Sequence, residues 1–198
     1  MRRVIAALTA WVMAAGLAWA QEEPWLPELI DPGHVIGGHD PADLVLPLPC
    51  GGGIAFQRVY VPIDVANPLS DRPFRMGQSA AASGFSDYLR PTHLRGPFTA
   101  ADANASYYYI ARYELTVAQY RALQGECDAP FTRTDQFTKG EMSWFDAVEL
   151  TRRLTEWVLA NAPEAMPSEG DRVWFLRLPT EEEWESAARG GIAAGPSK

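Results

Sequence analysis

Three stretches in the second half of the chain, each running on into good helix formers, open with the same local instruction. "TVAQ" from Thr116, "SWFD" from Ser143 and "TEEE" from Thr180 each place a hydroxyl residue three positions ahead of an amide or an acid. A helix leaves its first backbone N–H groups without partners, and this spacing lets the two residues satisfy them reciprocally. Three helices are therefore predicted: Val117 to Gln124, ended by Gly125; Trp144 to Asn161; and Glu181 to Arg189, ended by Gly190 and Gly191. The second repeats Ala147, Leu150, Leu154, Trp157 and Val158 at helical spacing and so presents a core face. In the third, Trp184, Ala187 and Ala188 are expected to be buried.

The first half has a different texture. Ile54 to Val61 is rich in β-formers and reads as a strand or hairpin. Asp71 to Gly77, "DRPFRMG", reads as a second short strand and Tyr107 to Tyr113, "YYYIARY", as a dense aromatic one. A further short strand, "VWFLRL" from Val173 to Leu178, precedes the third helix. Gln21 to Pro49 holds Pro24, Pro27, Pro32, Pro41, Pro47 and Pro49 and little periodicity, which predicts a loop-like arm. Ser79 to Ala105 is small, polar and irregular, and reads as loop.

The first twenty residues fit an export signal. "MRR" is a basic head, Val4 to Ala18 is a short apolar core, and "AWA" before Gln21 fits a small-residue cleavage site. The competing reading is a retained membrane anchor. Cleavage after Ala20 predicts a periplasmic or secreted protein, not an integral membrane one. The division expected is a signal peptide over 1–20, a Pro/Gly-rich N-terminal arm over 21–53 and the domain itself over 54–198. The formal net charge is −8, and losing the signal's two arginines makes it more negative still. A chain this acidic, with no basic run, repels nucleic acid. Export to an oxidising space allows Cys50 and Cys127 to pair, although two separate thiols fit the sequence equally well. His34, His39 and His93 are few and scattered, and the His34–His39 offset in a Gly-rich loop is a poor metal signature.

The order of the motifs carries more than any one of them. "YELTVAQY" from Tyr113, "SWFDAVELTRRL" from Ser143 and "RLPTEEEWESAARGG" from Arg177 follow in turn. Together they resemble the formylglycine-generating enzyme family, the sulfatase-modifying-factor domain. Its pattern runs through Tyr-Glu-Val-Thr-Asn, then Val-Ser-Trp-x-Asp-Ala, then Arg-Leu-Pro-Thr-Glu-Ala-Glu-Trp-Glu-x-Ala-Ala-Arg-Gly-Gly. Phe74, Met76 and Gly77 resemble the family's opening Phe-x-Met-Gly. The matching positions are Glu114, Thr116, Ser143, Trp144, Asp146, Arg177, Pro179, Thr180, Glu183, Trp184 and Arg189. Val117 departs from the family's Asn, and "KGEM" before Ser143 lacks its Pro-Val lead.

Two readings of these positions compete. The acids Glu114, Asp146, Glu183 and Glu185, with Arg177, can line a site, or they can cap helices and pair with one another; the box spacing favours the second. Trp144, Trp184 and the tyrosines can face a ligand or fill a core, and the core is the commoner use.

The resemblance implies an α+β class, an irregular mixed α/β domain with a C-type-lectin-like fold. It implies an oxidase that converts a sulfatase cysteine to formylglycine at a copper-holding cysteine pair. The family's catalytic cysteines and calcium loops lie beyond the Arg-Gly-Gly motif, where this sequence has only "IAAGPSK". The domain is therefore expected to be truncated and only marginally stable. No catalytic, copper or calcium residue transfers to this chain, and Cys50 and Cys127 do not occupy the family's positions. Asp43 to Pro62 and Gly96 to Phe98 further resemble TagR-type proteins, exported relatives linked to type VI secretion and a membrane Ser/Thr kinase. The expected function is a non-catalytic binding or regulatory module with an envelope protein partner. The alternatives are an oxidase lacking its catalytic half and a lectin-like ligand-binding module.

Overall fold

The strand Gly53–Pro62 decides the architecture, because both of its faces are covered: Ile54, Ala55, Val59 and Val61 are all buried. The computed structural model describes residues 25–63, 72–77, 90–100, 104–128, 130–170, 172 and 174–191. The expected signal over 1–20, residues 79–89 and the seven residues after Gly191 lie outside the described residues.

The strands are β1 (Leu44–Pro47), β2 (Gly53–Pro62), β3 (Arg72–Met76), β4 (Arg90–Leu94), β5 (Phe98–Ala100) and β6 (Ala105–Ala111). Four form an antiparallel sheet in the order β1-β2-β6-β5, and β3 pairs antiparallel with β4. The helices are α1 (Pro27–Ile30), α2 (Pro32–Val35), α3 (Val117–Leu123), α4 (Trp144–Asn161) and α5 (Glu181–Ala188). The predicted helix boundaries therefore hold to within a residue. All three hydroxyl residues cap as the spacing requires, with both reciprocal hydrogen bonds present at Thr116, Ser143 and Thr180.

Successive residues of a strand point to opposite faces, so β2 builds two cores. On one side Ile54 and Phe56 pack with Trp25, Leu29, Leu48, Ala118 and Ala122 and with Leu154 and Val158 of α4. On the other, Val59 and Val61 pack with Tyr108 of β6, Leu94 of β4 and Ala187 of α5.

Four readings of the sequence need correction. Residues 25–49 are not part of the loop-like arm expected over 21–49. The described part carries α1, α2 and β1, and Trp25, Leu29, Leu46 and Leu48 are buried. Pro27, Pro32 and Pro47 mislead because each sits where a missing N–H costs little. Pro27 and Pro32 open helices, and Pro47 ends an edge strand. Secondly, the stretch read as loop from Ser79 to Ala105 contains β4 and β5. Thirdly, Trp174 to Leu178 joins no strand. The Leu176 N–H donates instead to Thr155 Oγ1 of α4 at 2.9 Å, so a side chain does the work of a ladder. Fourthly, the aromatic strand stops at Ala111, and Tyr113 turns away to donate to Asp31 Oδ1 at 2.6 Å.

Asp31 ties the N-terminal segment to the sheet. Its buried carboxylate also accepts from the Ala42 N–H at 3.0 Å and from Arg112 Nη1 at 3.0 and 3.2 Å. Burial alone raises its pKa, but the Tyr113 hydroxyl and Arg112 outweigh it and hold the group below the ordinary carboxylate range.

Cys50 and Cys127 form a disulfide with a Cα–Cα distance of 5.3 Å, across 77 positions of sequence. It ties the turn between β1 and β2 to the end of α3, inside the first core. Closing so long a loop in the unfolded chain is worth about 4 kcal/mol. A Cys50→Ala/Cys127→Ala double variant is expected to lose about that much stability in denaturant unfolding. An unchanged midpoint would show that the bond adds nothing to the fold.

Candidate functional site

The motif residues at the third helix start converge, and they do so as a structural joint. Arg177 forks onto the Glu183 carboxylate, with Nη1–Oε2 at 2.7 Å and Nη2–Oε1 at 2.6 Å. The Thr180 N–H donates to Glu183 Oε2 at 2.8 Å, and the Glu183 N–H donates to Thr180 Oγ1 at 3.2 Å. Pro179 leads straight into this cap. Glu183 is only 7% exposed. Burial pushes its pKa up, but Arg177 and the Thr180 N–H overcome that and leave it lowered. The Tyr108 hydroxyl donates to the Glu183 carbonyl at 2.7 Å, which seats the helix on the sheet. Burial pushes that phenol up to about 12.

The rest of α5 clamps the β3–β4 pair. Glu185 accepts from the Gly77 N–H at 2.9 Å and pairs with Arg189, which donates to the Gly77 carbonyl. Arg90 of β4 pairs with Glu181 at 2.6 Å. The acids of "TEEEWE" are thus committed to neighbours. The other motif positions are similarly occupied. Asp146 accepts from the Ser143 hydroxyl at 2.7 Å, and Glu114 accepts from Thr138 Oγ1 at 3.1 Å.

The tryptophan expectation is corrected. Trp144 is 65% exposed and Trp184 is 60% exposed, and neither belongs to a core. On α5 the sheet-facing positions are Glu183 and Ser186, so the neighbouring Trp184 points away; Ala187 is half-buried and Ala188 exposed. Trp144 opens α4, whose buried residues begin only at Leu150.

The concave feature lies elsewhere. A cavity of about 520 Å³ opens beside the edge strand β5, lined by Arg95, Thr99, Ser106, Glu169, Arg172 and Trp174 among others. Gly96 forms part of the wall. A Cβ there would sit 2.3 Å from the Tyr107 backbone, so only glycine fits. Behind the wall runs an aromatic row on one face of the sheet. Phe98 stacks on Tyr107 with centroids 5.1 Å apart and meets Trp174 at 4.4 Å, and Tyr107 meets Tyr109 edge-on at 5.5 Å. Arg58 of β2 lies over the Tyr107 and Tyr109 rings at 5.3 and 5.8 Å and donates to the Tyr109 oxygen at 3.3 Å. Hydrogen bonds to Tyr60 and Tyr109 raise its pKa further, so it is a fixed cation.

Sequence reasoning missed this group. The alternation of Tyr107 and Tyr109 was an available signal, since both must share a face. The arrival of Trp174 from a distant loop was not. His34 Nδ1 is engaged by the His39 carbonyl oxygen at 2.7 Å. Among the described residues no group of three or more His, Cys, Asp and Glu could hold a metal ion, and no helix is long and apolar enough to cross a membrane.

Residues 73–196 match the model of the sulfatase-modifying factor enzyme 1-like domain. That match spans well over half of the sequence, and the chain belongs to the formylglycine-generating enzyme, or sulfatase-modifying-factor, family. No curated protein and no solved structure matches it. β1, β2 and Cys50 precede the matched residues, although β2 is the strand on which β6 pairs.

Because Glu183 and Asp31 titrate low in the folded chain, their contribution is present above the unfolded carboxylate pKa, about 4, and is lost as pH falls through the lower folded value. Glu183→Gln is expected to cost about 2 kcal/mol at neutral pH and to flatten the acid limb of stability. Urea unfolding at a series of pH values measures both. An acid limb as steep in the variant as in the wild type would remove Glu183 from the account.

Proposed function

We propose that the chain is an exported, non-catalytic member of its family, a binding or regulatory module that contacts another protein of the cell envelope. It works in the periplasm or outside the cell, carries no resident copper or calcium, and has the C-type-lectin-like fold the family implies. One observation carries the reading: Cys50 and Cys127 are joined to each other beside a core. Cysteine-dependent oxidation needs a reactive thiolate in an accessible site, and a buried disulfide supplies none. The motif acids add to this, since caps and ion pairs occupy them. The acidic charge disfavours nucleic acid as a partner.

The resemblance of residues 43–62 and 96–98 to TagR-type proteins directs the choice of partner toward the external domain of a type VI secretion-associated membrane Ser/Thr kinase. Two measurements test the reading. The purified protein, supplied with copper and oxygen, is expected to leave a cysteine-containing sulfatase peptide unchanged by mass spectrometry. The purified kinase external domain is expected to bind it in calorimetry. Formylglycine in the peptide would overturn the non-catalytic assignment, and absence of binding would remove the kinase as partner.

A further inference from the structure

Three asparagines occur in the sequence, Asn67, Asn104 and Asn161. Asn67 is followed by Pro68 and Leu69, and Asn161 by Ala162 and Pro163, so neither has a hydroxyl residue two positions on. Asn104 does: "NAS" runs through Asn104, Ala105 and Ser106, with no proline between. That is the triplet at which an oligosaccharide is joined to an asparagine on the surface of an exported protein.

The fold treats the two ends of the triplet differently. Asn104 is exposed, in the turn that leads into β6, and its φ is 47°, the left-handed conformation that asparagine tolerates better than most residues. Its carbonyl accepts from the Ile63 N–H at 3.2 Å, which fixes the turn beside the end of β2. It belongs to neither core, so a bulky group on it displaces no buried side chain. The turn by itself would accept glycine or aspartate as readily. Only asparagine supplies an amide nitrogen.

Ser106 is the opposite case. It is buried, and its hydroxyl accepts from the Gly96 N–H at 3.0 Å and donates to the Val61 carbonyl at 3.4 Å. Ala105 is buried too, between Ala100 of β5 and Pro62 of β2. A transferase must hold the triplet as an accessible segment, with the hydroxyl free to meet the enzyme. The finished sheet withholds both residues. The triplet is therefore open to transfer before β6 settles between β2 and β5, and afterwards the turn carries the modified asparagine in solvent.

We propose that Asn104 is an N-glycosylation site, modified during export and before the sheet closes. The donor is an oligosaccharide carried on a polyprenyl diphosphate. The Asn104 amide nitrogen attacks the anomeric carbon of that sugar, and a new carbon–nitrogen bond forms. The bond from the same carbon to the diphosphate oxygen breaks, the lipid diphosphate leaves with the electron pair, and the amide gives up one proton. Nothing is oxidised or reduced. Ser106 acts as a positioning residue through its hydroxyl. The proposal rests on the export part of the reading above and on neither its partner nor its lack of catalysis.

The test expresses the full chain in cells that hold an oligosaccharyltransferase and its lipid-linked donor. It is made once with the chain's own first twenty residues and once with a proven export signal in their place. Intact mass of the exported fraction and mass-spectrometric sequencing of the peptide around Asn104 are read. The expected result is a gain of one oligosaccharide at Asn104. Asn104→Gly, which keeps the turn, and Ser106→Ala, which keeps the amide, are each expected to lose that gain. Ser106→Thr, which keeps the hydroxyl, is expected to retain it, so a loss in Ser106→Ala through misfolding alone is told apart. The purified, folded, oxidised chain is expected to stay unmodified when given the same enzyme and donor. Modification only behind the proven signal would still support Asn104 as the acceptor and would count against export of the natural chain. An exported chain left unmodified behind the proven signal would overturn the proposal. So would a gain that persists in Asn104→Gly, or full modification of the folded chain.

Discussion

The fold turns on keeping Glu183 ionised inside the protein. An unpaired buried carboxylate would cost several kcal/mol and would take up a proton instead. Arg177 and the Thr180 N–H prevent that. Because both come from the segment just before α5, forming the ion pair also fixes the angle at which the chain enters the helix. The Tyr108 hydroxyl then seats that helix on β6, and Glu185 with Arg189 fastens the β3–β4 pair to its far end. A stretch that reads as an acidic site is a fastening between a sheet, a helix and a separate strand pair. Its charges are matched internally, which is why the cleft had to be sought away from it.

A second buried carboxylate plays the equivalent part at the other end of the sheet. Asp31 gathers Tyr113, Arg112 and the Ala42 N–H. Through it the N-terminal helices close over the first core beside the disulfide. The two networks secure opposite faces of β2, one under α3 and α4 and one under α5.

The elements most legible in the sequence were those encoded within four residues. The capping boxes at Thr116, Ser143 and Thr180 fixed three helix starts, because their hydrogen bonds are local. β2 was legible for the same reason: its run of β-formers is its own. What escaped was whatever depended on a distant partner. β1 hides in a proline-rich stretch because its pairing is with β2, and Trp174 to Leu178 looks like a strand although its hydrogen bond goes to Thr155. Trp144 and Trp184 misled because apolar bulk near a cap says nothing about which way the helix rolls. Their exposure follows from Glu183 and Leu150 facing inward. The cleft was least legible of all, being assembled from β5, β6 and a loop more than sixty positions further along.

The disulfide and the Asp31–Tyr113 bond also set the order in which the molecule can form. Their partners lie 77 and 82 positions apart, and β2 must wait for β6 before either of its faces is sheltered. A chain synthesised from its N-terminus therefore presents Trp25, Leu29 and Ile54 to solvent until α3 has emerged. Such non-local closure slows folding, and it leaves apolar surface and an unpaired strand edge exposed meanwhile. Once both thiols stand in an oxidising space, the covalent link makes that long-range closure permanent. The same bond that steadies the finished domain thus marks the point at which the folding one becomes committed.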